Sequence, residues 1–322
     1  MDNNYWKPSF KYFVDMFCSM ARMTTPHGNE AYVWAQLPNA PFGAPPNVHP
    51  NYDTAVTYVD GDNNYIVVVG GEHQKTLWLC HCDTADSDPT HVNLLKHTTR
   101  AGDLIISTDG MTILGADDKI GCAIMACMIR CGVPGIYAFC SGEEVGCVGS
   151  SKLAKSCTAS GKTFDHVVSF DRKGTSSVIT HQLGRRTASD AWAQEMCDQL
   201  SMRGLLSKPD ATGVFTDSNE FKDIGRECTN LSVGYDGQHT TKEEANMSYA
   251  YELLCAMIDL GHVGLPAPQR DPADKDMSDE DMETLWDSFP NASGSKWRDR
   301  SQWWSADDYQ NDSRDFFTGE AQ

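Results

Sequence analysis

Apolar residues recur along this chain in two periods, and the changes of period mark its elements. Phe13, Met16, Phe17 and Met20 fall at helical spacing, which predicts an opening amphipathic helix over 10–23. The turn Thr25-Pro26-His27-Gly28-Asn29-Glu30 leads to a short helix over 31–37, and a Pro/Asn-rich loop over 38–51 comes next. Strands over 55–59 and 65–70 flank Asp60-Gly61-Asp62-Asn63 and read as a hairpin by their turn chemistry. From there strand and helix alternate. Extended runs are predicted over 76–82, 105–106, 111–114, 136–140, 166–170, 177–181 and 230–233. Helices are predicted over 119–130, 148–155, 188–202 and 242–260, the last opening on a capping box from Thr241 to Glu244. The run 136–140 is apolar throughout, as a strand covered on both faces must be. Buried strands alternating with helices predict an α/β fold, a three-layer αβα sandwich on a mixed, mostly parallel sheet. No period recurs, so the chain is not a repeat protein.

The pattern breaks after Gly264. Pro, Asp, Ser and Asn dominate from there to the end, which predicts a catalytic domain over 1–264 and an acidic tail over 265–322. That tail also carries Trp286, Trp297, Trp303 and Trp304, which a spacer does not need. Met282, Leu285, Trp286 and Phe289 fall at helical spacing, so one short amphipathic helix over 278–289 is expected, with a docking role on the core or on a protein partner.

Net charge is −19 over 322 residues, which argues against nucleic acid or an anionic membrane as the main partner. No apolar run approaches the roughly 18 residues of a membrane span. Met-Asp-Asn-Asn-Tyr-Trp at the start lacks a basic stretch followed by an apolar one, so a cytoplasmic location is expected. The twelve cysteines are scattered through apolar segments with no Cys-x-x-Cys pair, so free buried thiols are expected rather than bridges. On a strand, Cys80 and Cys82 share one face and His81 takes the other.

Polar residues with metal-binding chemistry sit where these apolar runs end. His81-Cys82-Asp83 closes one, Asp117-Asp118 stands between an apolar run and a helix, and Glu143-Glu144 closes another. Asp171 and His239 come after two more. In an α/β sheet such positions face the crevice at the strand ends. His81, Asp117, Glu144, Asp171 and His239 together offer two imidazoles and three carboxylates. That is one of each per ion plus a shared carboxylate, a set suited to two divalent metals. Asp83, two residues from His81 on the same strand face, is placed to accept the other ring N–H. Without metal, a buried cluster of this kind costs several kcal/mol per unpaired charge.

Those residues carry a resemblance. His81-x-Asp83, Gly115-Ala116-Asp117-Asp118-Lys119-x-Gly121, Gly142-Glu143-Glu144-x-Gly146, Phe170-Asp171 and the late His239 resemble the motifs of the co-catalytic zinc exopeptidases. That clan includes bacterial tripeptidases, leucine-type aminopeptidases and glutamate carboxypeptidases. The motifs stand in the clan's order over 24–261, and Gly28-x-Glu30 and the strand pair around Asp60-Gly61 look like it too. The resemblance implies Asp117 as the bridging ligand, His81 and Asp171 on one metal, and Glu144 and His239 on the other. It implies Glu143 as general base and Asp83 as the residue orienting His81. It also implies a cis peptide between Asp117 and Asp118. Neither the segment from His81 to Asp117 nor that from Asp171 to His239 is long enough for the clan's inserted lid domain, so a stripped single-domain form is expected.

These features converge on a metal-dependent exopeptidase, an aminopeptidase on short peptides using two divalent ions, zinc before cobalt or manganese. The alternatives are a hydrolase of a non-peptide amide, such as an N-acyl amino acid, and a non-catalytic scaffold acting through the tail. His181, at a strand end, is the one rival ligand. His27, His49, His91, His97 and His262 read as surface residues, Arg185-Arg186 as a solvated loop before a carboxylate clamp, and Asp217 to Phe221 as a candidate pocket wall.

Overall fold

Residues 7–37, 56–71 and 73–270 are described by the structure, a computed structural model. The chain enters through α1 (Phe10–Met20), whose first turn is capped by Ser9 Oγ accepting from Tyr12 N at 3.2 Å. The single-turn α2 (Ala31–Trp34) is next, then β1 (Val56–Val59), β2 (Tyr65–Val69) and β3 (Thr76–His81). After these come the hairpin β4 (Leu94–Thr98) and β5 (Leu104–Thr108), α3 (Ala116–Arg130), β6 (Gly135–Cys140), α4 (Val148–Ala159) and β7 (Phe164–Arg172). The second half runs through β8 (Ser177–Ile179), β9 (His181–Gln182), β10 (Arg185–Arg186), α5 (Asp190–Ser201) and β11 (Lys208–Asp210). It ends with β12 (Gly225–Ser232), β13 (Tyr235–Asp236), β14 (Glu244–Asn246) and α6 (Met247–Val263).

The central sheet has eight strands in the order β1-β2-β6-β3-β7-β12-β8-β11. Its middle four, β6, β3, β7 and β12, are mutually parallel, while β2 and β8 join them antiparallel on either side. Side chains alternate across this sheet and split the core in two. Trp78, Cys80, Tyr137, Phe139, Val168 and Phe170 pack with α1, α3, α5 and α6, whereas Leu77, Leu79, Ile136, Ala138 and Val167 pack with Leu153, Ala154 and Cys157 of α4. Trp78 lies between Tyr137 and Phe170 at ring separations of 6.2 and 5.9 Å, which ties three neighbouring parallel strands together. This is the mixed three-layer sandwich the alternation predicts.

A smaller four-stranded sheet, β13-β14-β5-β4, and its loops occupy two of the connections. Between His81 and Asp117 there is only the β4–β5 hairpin, and between Asp171 and His239 only β8 to β13 with α5, so neither holds an inserted domain. No helix among the described residues is long and apolar enough to cross a membrane. All twelve cysteines are free, and all but Cys255 are buried.

Two sequence expectations need correction, and one strand has no expectation behind it. The extended run expected at 111–114 belongs earlier, at β5. Residues after it turn, with Asp109 Oδ1 accepting from Met111 N at 3.0 Å and Thr108 Oγ1 donating to Thr112 O at 2.9 Å. The last helix does not open on a Thr241–Glu244 box, because Glu244 to Asn246 pair as β14. Asn246 caps the helix instead, accepting from Tyr249 N at 3.0 Å. Strand β4, Leu-Leu-Lys-His-Thr, is largely exposed and shows no apolar–polar alternation by which the sequence could predict it.

Residues 264–270 run back over the core beside β12. Pro266 O accepts from Trp192 Nε1 at 3.0 Å and from His166 Nε2 at 2.8 Å. The buried Glu227 accepts from Gln269 N and Arg270 N, both at 2.6 Å, and Arg270 Nη1 donates to Lys222 O and Gly225 O at 2.9 and 3.0 Å. The helix expected over 278–289, the tail tryptophans, His49 and the loop over 38–51 lie outside the described residues.

Candidate metal centre

His81, Glu143, Glu144 and Asp171 come from the C-terminal ends of three adjacent parallel strands, β3, β6 and β7. Asp117 enters from the start of α3, and His239 from the loop after β13. The carboxylate of Asp117 stands between the two imidazoles. Its Oδ1 is 3.0 Å from His81 Nε2, and its Oδ2 is 3.4 Å from His239 Nε2. Asp171 Oδ1 lies 3.6 Å from His81 Nε2, and Glu144 Oε1 lies 3.0 Å from His239 Nε2. The five residues therefore form two half-sites that share Asp117. The peptide bond between Asp117 and Asp118 is cis.

The chemistry and geometry of the donor set fit a divalent cation. His239 Nε2 and Glu144 Oε1 are close without being aligned as donor and acceptor, and Glu144 Oε1 is buried with no hydrogen-bond partner. Such an orphaned acceptor costs free energy unless something positive faces it. Ligand atoms of His81, Asp117 and Glu144 lie within 4.8 Å of one another, as do those of His81, Asp118 and Asp171. Asp118 is nonetheless occupied elsewhere. Its Oδ1 accepts from Gly121 N at 3.0 Å and its Oδ2 from His81 N at 3.3 Å, so it braces the loop while Asp117 faces the crevice.

Electrostatics respond to this crowding. Burial would raise the Asp117 carboxyl, but His239 and His81 beside it hold it below its ordinary range. Burial would lower His81, yet Asp117, Asp171 and Asp83 push it well above its ordinary value. Asp117 and Glu144 carry His239 up to about 10 against a smaller effect of burial. Burial pushes Glu143 well up, with His81 pulling down and Asp171, Glu144 and Asp217 adding to the rise. The carboxylates around the two imidazoles therefore favour positive charge at this point, whether carried by protons or by a cation.

Asp83 does not act quite as expected. His81 Nδ1 meets the backbone carbonyl of Asp83 at 3.0 Å, and its carboxylate is farther away at 3.6 Å. That carboxylate instead accepts from Glu143 N at 3.0 Å and Glu144 N at 3.1 Å. One residue therefore orients the imidazole through its carbonyl and anchors the Glu143-Glu144 loop through its side chain.

Several supporting residues escape a reading of the sequence. Glu243 accepts from Leu114 N, Gly115 N and Asp117 N at 2.8–2.9 Å, so a buried carboxylate four residues beyond His239 holds the loop that presents Asp117. Gly115 adopts φ +68°, and a Cβ there would meet Thr84 Cγ2 at 2.7 Å. Around Asp171, Thr216 Oγ1 donates to Oδ2 at 2.6 Å, Tyr235 Oη reaches Oδ1 at 3.1 Å, and Asn230 Nδ2 donates to the carbonyl at 2.9 Å. Lys119 is fully buried beside the cis bond and donates to Met23 O at 2.6 Å, and burial lowers its pKa to about 8. Of these, Gly115 and Lys119 stand in the motif around Asp117, whereas Glu243, Thr216, Tyr235 and Asn230 carry no signal in the sequence.

The remaining candidates go elsewhere. His181 lies in β9 with Nδ1 2.9 Å from Thr180 Oγ1, outside both converging sets. Arg185 and Arg186 form β10, and Arg186 pairs with Asp190 at 2.9 Å. The segment 217–221 is a 3₁₀ turn against the sheet, with Phe221 in the core and Asp217 buried. Of the residues expected at the surface, His262 is half-buried, with Nε2 3.1 Å from Cys131 O.

No known family's sequence profile matches the chain, and no curated protein matches it in sequence. Solved structures do. Aminopeptidase PepT from Bacillus cereus aligns at a TM-score of 0.59 and 16% identity, over 79% of this chain and 99% of that one. A tripeptidase from Staphylococcus aureus aligns at 0.56 and 14%, over 79% and 99%. The TET1 peptidase of Pyrococcus horikoshii, which can assemble into a tetrahedron or a large octahedral shell, aligns at 0.54 and 16%, over 77% and 99%. The chain has the fold of these peptidases.

Proposed function

We propose that this chain is a dinuclear metal-dependent exopeptidase, an aminopeptidase that trims short peptides. The observation that carries the reading is the division of Asp117 between His81 and His239, with Asp171 and Glu144 completing the two half-sites. The fold shared with an aminopeptidase and a tripeptidase supports it.

His81 and Asp171 would hold one ion, Glu144 and His239 the other, and Asp117 both. Two divalent ions, zinc in this proposal, supply Lewis acidity that polarises a carbonyl and acidifies water. Glu143 does the proton work. Its carboxyl, buried beside the half-sites and rich in proton affinity, takes a proton from the attacking water and delivers it to the leaving nitrogen. Asp83 fixes the backbone that presents Glu143 and Glu144, so the two neighbours turn different groups to the centre. The 3₁₀ turn borders the site, since Thr216 at its start holds the Asp171 carboxylate.

The test pairs metal analysis with turnover of a defined peptide set. Wild-type protein should carry about two divalent ions per chain and release N-terminal residues. Glu143→Gln should keep the ions and lose about 10²- to 10⁴-fold in kcat. Near-normal turnover in that variant, or a metal-loaded wild type that cleaves no peptide, would refute the assignment.

A further inference from the structure

His27 is exposed, as the sequence leads one to expect, but its surroundings are those of a built site. Its Nδ1 donates to Glu30 Oε1 at 2.8 Å, and the same carboxylate takes Gly28 N on Oε2 at 2.9 Å. Glu30 is only 2% exposed, so a buried carboxylate sets the ring's orientation and tautomer. With Nδ1 protonated, the far nitrogen Nε2 of the neutral ring is a hydrogen-bond acceptor. It has no partner among the described residues, in a side chain 41% exposed.

The ring also stands beside the catalytic edge. A Cβ placed on Gly142 would lie 2.9 Å from His27 Nδ1 and 3.0 Å from its Cε1, so the imidazole rests directly on the residue before Glu143. Gly142 has φ +67°, which suits glycine and leaves room for the ring. On the other side the segment is pinned to the strand end that carries His81 and Asp83. Thr25 Oγ1 donates to Cys82 O at 2.7 Å, Thr25 N donates to Thr84 Oγ1 at 2.8 Å, and Thr84 N donates to Thr25 O at 2.9 Å. His27 is thus held between the loops of Asp83 and Glu143. Peptide residues are about 3.5 Å apart along an extended chain, so a peptide cleaved at the centre brings its next groups to this rim.

We propose that His27 and Glu30 form a substrate-binding dyad in which His27 Nε2 accepts a hydrogen bond from an N–H group of the bound peptide. The proposal rests on the exopeptidase reading above. The negative charge of Glu30 favours a positively charged donor, so the α-ammonium of the substrate is the preferred occupant over a backbone amide. The dyad would act on binding, not on the proton transfers assigned to Glu143.

Three hydroxamates that chelate the loaded centre provide the probe. One carries a free α-amine, one the same amine acetylated, and one no amine at all. On metal-loaded protein, His27→Ala should weaken the free-amine compound about tenfold, the worth of one good hydrogen bond, and leave the amine-free compound unchanged. Equal weakening of the acetylated compound would assign the contact to an amide N–H, whereas no change there assigns it to the ammonium. His27→Asn can still reach Glu30 but offers nothing at the position of Nε2, so it should behave as the alanine variant. His27→Gln, with an amide oxygen near that position, should recover most of the affinity. Unchanged binding of both amine-bearing compounds overturns the proposal. So does equal loss for all three, or loss that tracks a fall in metal content or melting temperature. A wild type that binds the hydroxamates but cleaves no peptide refutes the exopeptidase reading and leaves the dyad standing. A wild type that binds none of them overturns the dyad with the centre.

Discussion

Asp117 concentrates the chemistry of the molecule in one side chain. Its two oxygens face different imidazoles, so no substitution elsewhere in the cluster should be as damaging to both half-sites. Asp117→Ala is expected to lose both ions by elemental analysis, and full occupancy in that variant would exclude a bridging role. Glu144→Gln, by contrast, should weaken one ion only, and added zinc should restore part of the rate. The same difference of address separates Asp117 from Asp118. Both are carboxylates and neighbours, but Asp118 turns one oxygen to Gly121 N and the other to His81 N, whereas Asp117 turns its two oxygens to the two imidazoles.

At the scale of elements, two ties join parts of the chain that the layers alone would leave independent. Glu243 links the loop before α6 to the loop before α3 through three backbone N–H groups. Glu243→Gln replaces one acceptor oxygen with a donor facing those groups, which should cost about 1–3 kcal/mol. Metal affinity should fall with stability, because the tie spans the segment from Asp117 to His239. Unaltered thermal stability and metal affinity in that variant would count against the tie. The second tie is the segment 264–270. Ending the chain at Gly264 would remove the Pro266 carbonyl from His166 Nε2 and Trp192 Nε1 and leave the buried Glu227 with Ser189 alone of its donors, at about 1–3 kcal/mol for each orphaned group. Ending it at Arg270 keeps them all. Thermal melts should therefore separate the two truncations by several degrees or more, at roughly 2–4 °C per kcal/mol in a domain of this size. Equal melting temperatures would show that the tie is inert. On this ground the packed unit reaches at least to Arg270, a few residues beyond the composition break at Gly264.

At the scale of the whole molecule, the proposed metal ions and protons would compete for one centre. His239 rises from its ordinary 6.5 to about 10, and His81 lies well above its ordinary value. A raised histidine stabilises the fold fully below its unfolded pKa, and that contribution is lost as pH climbs through the folded value. Asp217 and Glu243, each raised by burial to about 7, act in the same direction, since ionising them in place is costly. Metal-free protein should therefore lose stability from about pH 4 to about pH 7 as the two carboxyls ionise, and from about pH 6.5 to about pH 10 as the histidines lose their protons. Loaded protein is spared the histidine part, because its imidazoles are already neutral. The gap in melting temperature between the two forms should widen with pH, and metal uptake at neutral pH should release protons measurable in a weakly buffered solution. A gap that stays constant over that range would mean the imidazoles do not titrate as ligands.

Periodicity and strand-end chemistry determined much of this protein on their own. Alternating apolar runs suffice for a covered parallel sheet, because each buried strand must be apolar on both faces. Carboxylates and histidines at the ends of those runs have one crevice to share, so His81, Asp117, Glu144, Asp171 and His239 were legible as a set. What sequence could not decide is where each atom points. Whether Asp83 meets His81 by its carboxylate or its carbonyl depends on a few tenths of an ångström of backbone. Glu227, Glu243 and Thr216 carry no local signature, since their partners lie 38–43, 126–129 and 45 positions away. His27 looks like any exposed histidine. Glu30 stands only three positions away, but the fold alone buries it and brings Gly142 beside the ring, because burial and long-range contact are properties of the packed chain and not of any window along it.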